Sequence, residues 1–429
     1  MSQPQARRAR PQDCEVAIIG TGPYGLSLAA HLAASKIRFR IFGKPMALWR
    51  DHMPKSMMLK SNGYASNLSA PDGRASSLKA FCRLTGLAYS DLNVPVSLDT
   101  FLAYADWFRR RHVPDLDERM VAGLDRDDHG YLLTLEDGTR IRAAQVVMAV
   151  GITAFAHMPA TLAALPGTLA SHSFDHRTVD QFKGKDTVVV GAGASAVNLA
   201  YELLEAGAAV TLLARGPCIS YHSLPNPKAL SPFELLTNPP APFGQGWKSL
   251  LVACLPQIFY RLPRPLRARA IRSHMHPAAG WFMRDKVMGL VPEILGQPIT
   301  RAWEDGGKAH IALGNGREVV CDHVFAGTGY RMDLNRLGFL SARVRQAIAR
   351  TGCTLNVSAG FETDLEGLYA LGPLAMENFG PLLRFVCGTS FAAPRLARVL
   401  KRRVLLKRIE ARLREMANNL LQKLQDAAA

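Results

Sequence analysis

Residues 16–25, Val-Ala-Ile-Ile-Gly-Thr-Gly-Pro-Tyr-Gly, set the fold. The apolar run 16–19 reads as a short buried strand. Gly20-Thr21-Gly22-Pro23-Tyr24-Gly25 follows it as a full G-x-G-x-x-G. Leu26, Ala29, Ala30, Leu32 and Ala33 then recur at helical spacing, and a second strand is expected at 39–42. This is a βαβ opening. Gly20 permits the tight turn, Gly22 lets the backbone approach a diphosphate, and Gly25 lets helix and strand pack closely. The helix start adds free N–H groups and a partial positive charge. Gly20, Gly22, Pro23 and Gly25 are therefore candidate dinucleotide-binding residues. One expected feature is missing: an acid at the end of the second strand, to hold a ribose. That strand ends Ile41-Phe42-Gly43-Lys44.

The pattern returns further along. A strand at 187–190 leads to Gly191-Ala192-Gly193-Ala194-Ser195-Ala196, a helix at 197–205 and a strand at 209–213. The last strand is followed by Arg215 where an acid would otherwise sit. A guanidinium suits a 2′-phosphate, which favours NADPH over NADH. After each unit comes a hairpin signal, Asp137-Gly138 in the first and Asn315-Gly316 in the second. Each is followed by a strand ending in glycine: 146–150 before Gly151, and 324–325 before Ala326-Gly327-Thr328-Gly329. The expected class is α/β, with two Rossmann-like dinucleotide-binding domains and a carboxy-terminal amphipathic helix. The boundaries are a flexible tail at 1–12, an FAD-binding domain at 13–160 that resumes at 316–394, an inserted NADPH-binding domain at 175–315, and the helix at 395–429. Two different nucleotides in one chain imply electron transfer, since a nicotinamide donates a hydride and a flavin accepts it.

Composition narrows the class. With 48% hydrophobic and 20% charged residues, wholesale disorder is excluded. The seven cysteines form no C-x-x-C pair, which argues against a redox dithiol and for a reducing compartment. The net charge of +17 is localised. Ten bases and three acids after residue 394 leave +7, and eight bases and one acid at 247–288 leave another +7. Without zinc-finger spacing or basic-aromatic repeats, this speaks for surface patches rather than nucleic-acid binding. No signal peptide or membrane span is legible, so a cytoplasmic protein is expected. In the carboxy-terminal stretch, apolar residues from Leu396 to Leu424 recur at three or four, with bases opposite. It reads as a docked helix, as one that pairs with a second subunit in a homo-oligomer, or as an interfacial helix on anionic lipid. The 247–288 insert reads as joining it at a membrane or as a lid.

Further residues carry a family resemblance. Leu48-Trp49-Arg50, Lys60-Ser61-Asn62, Phe101-Leu102-Ala103-Tyr104-Ala105 and Phe108 follow the first unit in that order. With the second glycine turn and Ala326-Gly327-Thr328-Gly329-Tyr330, this resembles the flavin-containing monooxygenases and the related N-hydroxylating class B flavoprotein monooxygenases. The likeness runs over residues 14–392. It implies a cycle in which NADPH reduces FAD, O2 adds at the flavin C4a atom, and the resulting (hydro)peroxyflavin passes one oxygen to a small nucleophile. Retained NADP+ would shield that adduct from water. The resemblance places Asn62 beside the flavin as the catalytic residue, with Trp49, Arg50 and Ser61 lining it. Gly151, Gly191, Gly193, Ser195, Ala196, Thr328, Gly329, Tyr330 and Gly372 complete the cofactor contacts. Local rules also allow Asn62 as a turn residue and Trp49 as a core residue with Arg50 snorkelling beside it.

The departures matter. The Baeyer–Villiger pattern F-x-G-x-x-x-H-x-x-x-W is absent: residues 165–173 hold Gly167 and a histidine one place late, His172, which reads as structural. Amine nitrogen, then sulfur, are thus the preferred acceptors. Pro373 stands where an aspartate usually follows the glycine at 372. Asn378 to Arg384 reads as a cofactor or substrate wall, or as a plain turn. The rival functions are an NAD(P)H-dependent flavin oxidoreductase without oxygen transfer and a non-catalytic, membrane-docking redox flavoprotein. No metal site is legible.

Overall fold

A computed structural model of the chain describes residues 12–92, 94–222, 231–242, 244–348 and 355–428. The expected amino-terminal tail lies outside them except for Gln12, which already opens the first strand. β1 (Gln12–Ile19), α1 (Pro23–Ala34) and β2 (Phe39–Phe42) make the βαβ opening, with β1 and β2 parallel from Val16–Phe39 to Ile19–Phe42. Val16, Ala17 and Ile18 are wholly buried because parallel strands are covered on both faces. α2 (Ala47–His52), α3 (Leu78–Thr85) and α4 (Leu98–His112) follow. Ser77 and Ser97 cap α3 and α4 by accepting the Ala80 and Thr100 amides. Phe101, Tyr104, Ala105 and Phe108 form the buried stripe of α4 at helical spacing.

β3 (Val121–Asp127), β4 (Gly130–Leu135) and β5 (Arg140–Met148) complete this first unit. The strand expected at 146–150 is not separate from the hairpin. β5 runs unbroken, antiparallel to β4 at its start and parallel to β1 along its length. Its burial changes along the way, alternating as far as Ala144 and continuous from Gln145 to Met148, as a half-covered strand becomes a central one.

The second unit contains α5 (Ala160–Ala163), β6 (Ala170–His172), β7 (Asp186–Val190), α6 (Ala194–Glu205) and β8 (Ala209–Leu213). An excursion follows: α7 (Pro232–Thr237), a ribbon of β9 (Pro240–Ala241) and β10 (Gly244–Gln245), α8 (Trp247–Cys254), α9 (Pro256–Arg261), α10 (Arg264–His274) and α11 (Arg284–Val287). The chain then forms β11 (Glu293–Ile294), β12 (Ile299–Asp305), β13 (Lys308–Leu313), β14 (Glu318–Cys321) and β15 (His323–Ala326). The parallel sheet has the order β11-β8-β7-β15-β6, while β12-β13-β14 is a separate antiparallel sheet. The two halves are therefore not identical. At Asp322 the chain changes sheets, fixed by the Asp322 amide to the Asp186 carbonyl and by the Asp186 amide to the Asp322 carboxylate, both 2.8 Å. Strand pairing carries the second unit to Ala326, past residue 315.

The chain returns through α12 (Ala342–Ile348) to β16 (Leu368–Ala370), which pairs with β5 in the first sheet. α13 (Met376–Phe379) and α14 (Thr389–Ala428) close the chain. The last helix begins at Thr389 rather than 395, and its first turns are core. Leu396, Leu400 and Val404 are buried, α14 packs on α1, and the Arg408 guanidinium clasps the Glu15 carboxylate through two 2.7 Å bonds. Beyond that clasp Ile409, Leu413 and Met416 are exposed. No helix among the described residues is long and apolar enough to cross a membrane.

Candidate active site

The first cradle lies between β1 and α1. Gly20 has φ +109°, and its amide donates to the Phe42 carbonyl at 2.9 Å. A Cβ on Gly25 would fall 1.9 Å from the Gly20 carbonyl oxygen, whereas one on Gly22 would meet nothing within 4 Å. Crowding behind and open space in front are what a backbone cradle for a diphosphate requires. Pro23 sits at the start of α1, where its missing N–H costs nothing, and no acid occupies the first turn. Gly372 reaches this cradle from the far end of the chain and lies against the Tyr24 ring, whose hydroxyl donates to the Phe385 carbonyl at 2.9 Å. Tyr24 thus fastens the returning segment to the cradle, a role invisible from its place inside the motif.

The missing ribose acid has a partial answer. Asp117 bridges the end of β2, with the Gly43 amide on its carbonyl and its own amide on the Ile41 carbonyl. Its carboxylate is already held by Arg119 at 2.9 and 2.7 Å and by Arg40 at 2.8 Å, which keeps its pKa below the usual carboxylate range. A carboxylate lies at the right strand end, with its charge spent on arginines.

The second cradle repeats the first with one substitution. A Cβ on Gly191 would fall 2.4 Å from the Gly327 carbonyl oxygen, and Ala196 takes the place of the third glycine because it faces Gly327. Gly193 caps α6 with no side-chain partner, Ser195 stands in the first turn, and Pro277 is the nearest neighbour of Gly193. Arg215 lies just beyond β8, exposed and without an ion pair or hydrogen bond among the described residues.

Two chain crossings join the units side by side. The His157 amide donates to the Gly329 carbonyl at 2.9 Å, the Thr328 hydroxyl donates to the His157 carbonyl, and Ala156 bridges Tyr330. Gly151, with φ +65°, opens the first crossing. His172 braces the second crossing by its 3.1 Å contact with the Gly329 carbonyl, while its other ring nitrogen accepts the Phe174 amide at 3.0 Å. It is buried and structural, as expected.

Residues 50–60 of the first unit reach across the remaining gap. Arg177 donates to the Arg50 carbonyl, His52 stacks on Phe174 at 3.8 Å, the Ser56 hydroxyl donates to Glu202 at 2.5 Å, and Lys60 Nζ donates to the Ala278 carbonyl at 3.2 Å. Trp49 is half-buried on Phe101, with ring centroids 4.8 Å apart, and the Arg50 guanidinium turns to its neighbour Asp51 at 3.1 Å. Ser61 and Asn62 follow, both half-buried, and their side chains make no hydrogen bond among the described residues. The Asn62 carbonyl accepts the Ser66 hydroxyl at 3.0 Å, so its backbone is fixed while its amide group is unspent.

The cleft is cationic, which the sequence did not reveal. Lys60 is surrounded by protein yet open to solvent, as a cleft-lining residue is. Arg384 sits with its guanidinium 5.5 Å from the centre of the Tyr330 ring. Neither has a carboxylate within ion-pair distance among the described residues. Burial lowers the pKa of both, and Arg384 lowers that of Lys60 further. Burial and the Lys60 charge push His222 down to about 4, and burial pushes the Tyr330 phenol up to about 12. Two cations lining one face without a carboxylate partner favour an anion there. The signal came from residues 324 positions apart, so no local pattern could show it.

The donor sets fit two dinucleotides: two bare-backbone helix starts, an unspent arginine at one of them, and unspent polar side chains between. No group of His, Cys, Asp and Glu among the described residues could hold a metal. None of the six described cysteines forms a disulfide, and burial pushes the Cys387 thiol up to about 12, which keeps it protonated.

The chain belongs to the pyridine nucleotide-disulphide oxidoreductase family, whose model matches residues 17–235. Among curated relatives, it is 26% identical over 224 residues to the indole-3-pyruvate monooxygenase YUCCA1 of rice, Oryza sativa subsp. japonica, covering 48% of each chain. It is 39% identical over 85 residues to ferredoxin–NADP reductase 1 of Cupriavidus pinatubonensis, covering 20% of this chain and 24% of that one. The chain thus spans about half the length of the first relative and about a quarter of the second. Among solved structures, its fold matches ornithine N-hydroxylase from Kutzneria sp. 744, in complex with reduced FAD, NADP+ and L-ornithine. The TM-score is 0.73 at 14% identity, over 92% of this chain and 100% of that one.

Proposed function

We propose that the protein is an FAD- and NADPH-dependent monooxygenase that transfers one oxygen atom of O2 to a small nucleophile, an amine nitrogen first and sulfur second. One oxygen atom enters the product, the other leaves as water, and NADPH supplies the two electrons. The observation that carries this reading is the pair of bare-backbone cradles, one in each unit, with no cysteine pair among the described residues to take the electrons instead. FAD in the first cradle and NADPH in the second would supply the redox chemistry. The chain's own residues do the rest. Gly20, Gly22, Pro23, Gly25 and Gly372 hold the first nucleotide; Gly191, Gly193, Ser195 and Ala196 hold the second, and Arg215 takes its 2′-phosphate. Trp49, Arg50, Ser61, Gly151, Thr328, Gly329 and Tyr330 form the walls. The free amide of Asn62 holds a hydrogen bond where the oxygen is transferred, and Lys60 and Arg384 receive anionic groups. Exposed apolar residues on the outer turns of α14 support a contact there with a second copy of the chain.

The test follows NADPH oxidation and peroxide release together across a panel of amines and thioethers. A substrate raises NADPH oxidation and suppresses peroxide. Asn62→Ala is expected to oxidise NADPH with most of the electrons appearing as peroxide; an Asn62→Ala enzyme as well coupled as the parent removes the assignment. The likeness to the ferredoxin–NADP reductase favours a second reading, electron transfer without oxygenation. It predicts NADPH-dependent reduction of an iron–sulfur protein and no oxygenated product from any substrate.

A further inference from the structure

The excursion between β8 and β11 has two unlike sides. The inner side is fastened to the first unit. Tyr260 stacks on Phe379 with centroids 5.1 Å apart, the Phe259 ring fills the space beside Gly380, and Arg267 Nη1 donates to the Asn378 carbonyl at 3.4 Å.

The outer side is apolar and bare. Trp247 and Leu251 lie one turn apart on α8, Leu255 follows its end, and Ile258, Leu262 and Leu266 come next in α9, the link after it and α10. Each keeps between 36% and 54% of its surface exposed. Six large apolar residues exposed within one short segment mark an interaction surface. Charge states what kind. Lys248, Arg261, Arg264, Arg269 and Arg272 are exposed in the same segment, and no aspartate or glutamate occurs between Trp247 and Arg284.

We propose that the outer face of α8, α9 and α10 docks on the surface of an anionic lipid bilayer. The apolar residues enter the headgroup boundary and the arginines meet the lipid phosphates. Exposed tryptophan and leucine flanked by cations is the composition such an interfacial surface needs. The segment lies on the bilayer rather than crossing it, since none of its helices is long enough to span. A protein partner would have to be both acidic and apolar over the same segment, whereas an anionic bilayer offers both along its whole plane. Docking would also bring residues 376–384 close to the lipid surface, because the inner side of the same helices packs on them.

The experiment uses the full chain with phosphatidylcholine vesicles, with and without phosphatidylglycerol. Co-sedimentation is expected to rise roughly tenfold with phosphatidylglycerol and to fall in high salt, as surface electrostatics require. Leu251→Asp with Leu255→Asp is expected to lower binding about tenfold, by removing apolar insertion, at unchanged thermal midpoint and flavin content. Arg264→Glu with Arg269→Glu and Arg272→Glu should abolish the lipid-charge dependence. A chain truncated after Arg408 should bind as the parent does. The proposal is overturned if the parent does not distinguish the two vesicles, if the double leucine variant binds normally, or if the truncation removes binding. A dimer that the leucine variant dissolves, with no vesicle binding by the parent, overturns it in favour of a subunit contact.

Discussion

Lys60 Nζ donates to the Ala278 carbonyl across the cleft, 3.2 Å away, and so ties a loop of the first unit to the wall of the second cradle. Ala278 adjoins Pro277, the nearest neighbour of Gly193. The ammonium is therefore placed to meet an anionic group of the second nucleotide. A charged hydrogen bond contributes ~1.5–3 kcal/mol, so Lys60→Met is expected to weaken NADP+ binding roughly tenfold or more. Flavin content should stay unchanged. Equal NADP+ affinity in the two proteins would remove Lys60 from the site.

The same lysine predicts a pH dependence. Its pKa in the fold lies below the ordinary value of 10.5, from burial first and then Arg384. Lys60 loses its proton before a free lysine would. NADP+ affinity should fall as pH rises through that lowered pKa, and the Lys60→Met protein should lack this limb. In the unliganded protein the unfolded chain binds the extra proton, so this group's contribution makes stability rise over the same window. Isothermal titration and thermal melts across the pH range below 10.5 separate the two effects.

The two glycines of the first cradle should fail differently. Gly25→Ala puts a Cβ 1.9 Å from the Gly20 carbonyl and should lower the thermal midpoint together with flavin retention. Gly22→Ala meets no protein atom within 4 Å, so the apoprotein should melt as the parent does while flavin affinity falls about tenfold, the cost of a lost close approach. Melting of the apoproteins and flavin absorbance after purification distinguish the outcomes.

Arg215→Ala should leave stability within ~0.5 kcal/mol, since the side chain is exposed and holds nothing in the protein. It should cut the preference for NADPH over NADH by about 10- to 100-fold, the worth of a charged phosphate contact. An unchanged ratio of kcat/KM for the two nucleotides would mean that the 2′-phosphate is held elsewhere.

Truncation of α14 should have a sharp limit. A chain ending at Arg395 loses Leu396, Leu400 and Val404, each fully or almost fully buried. At ~1.5–3 kcal/mol per buried side chain, this approaches the whole stability of a domain. That protein should be insoluble or unfolded. A chain ending at Arg408 keeps those residues and the clasp to Glu15, and should melt within a few degrees of the parent.

The sequence by itself determined the two cradles, because a strand, a glycine turn and a helix start are specified by neighbours along the chain: Gly20 to Gly25, and Gly191 to Ala196. It also made Arg215 legible, at a fixed place after a strand. The tertiary structure alone decided what those cradles share. The Gly372–Tyr24 contact, the acid at Asp117 already spent on Arg40 and Arg119, and the cations of Lys60 and Arg384 each join residues distant in sequence. It also decided that the start of α14 is core while its outer turns are not, since the same apolar period serves both until α1 covers one part. Periodicity fixes which face of an element is apolar; only packing fixes what, if anything, that face meets.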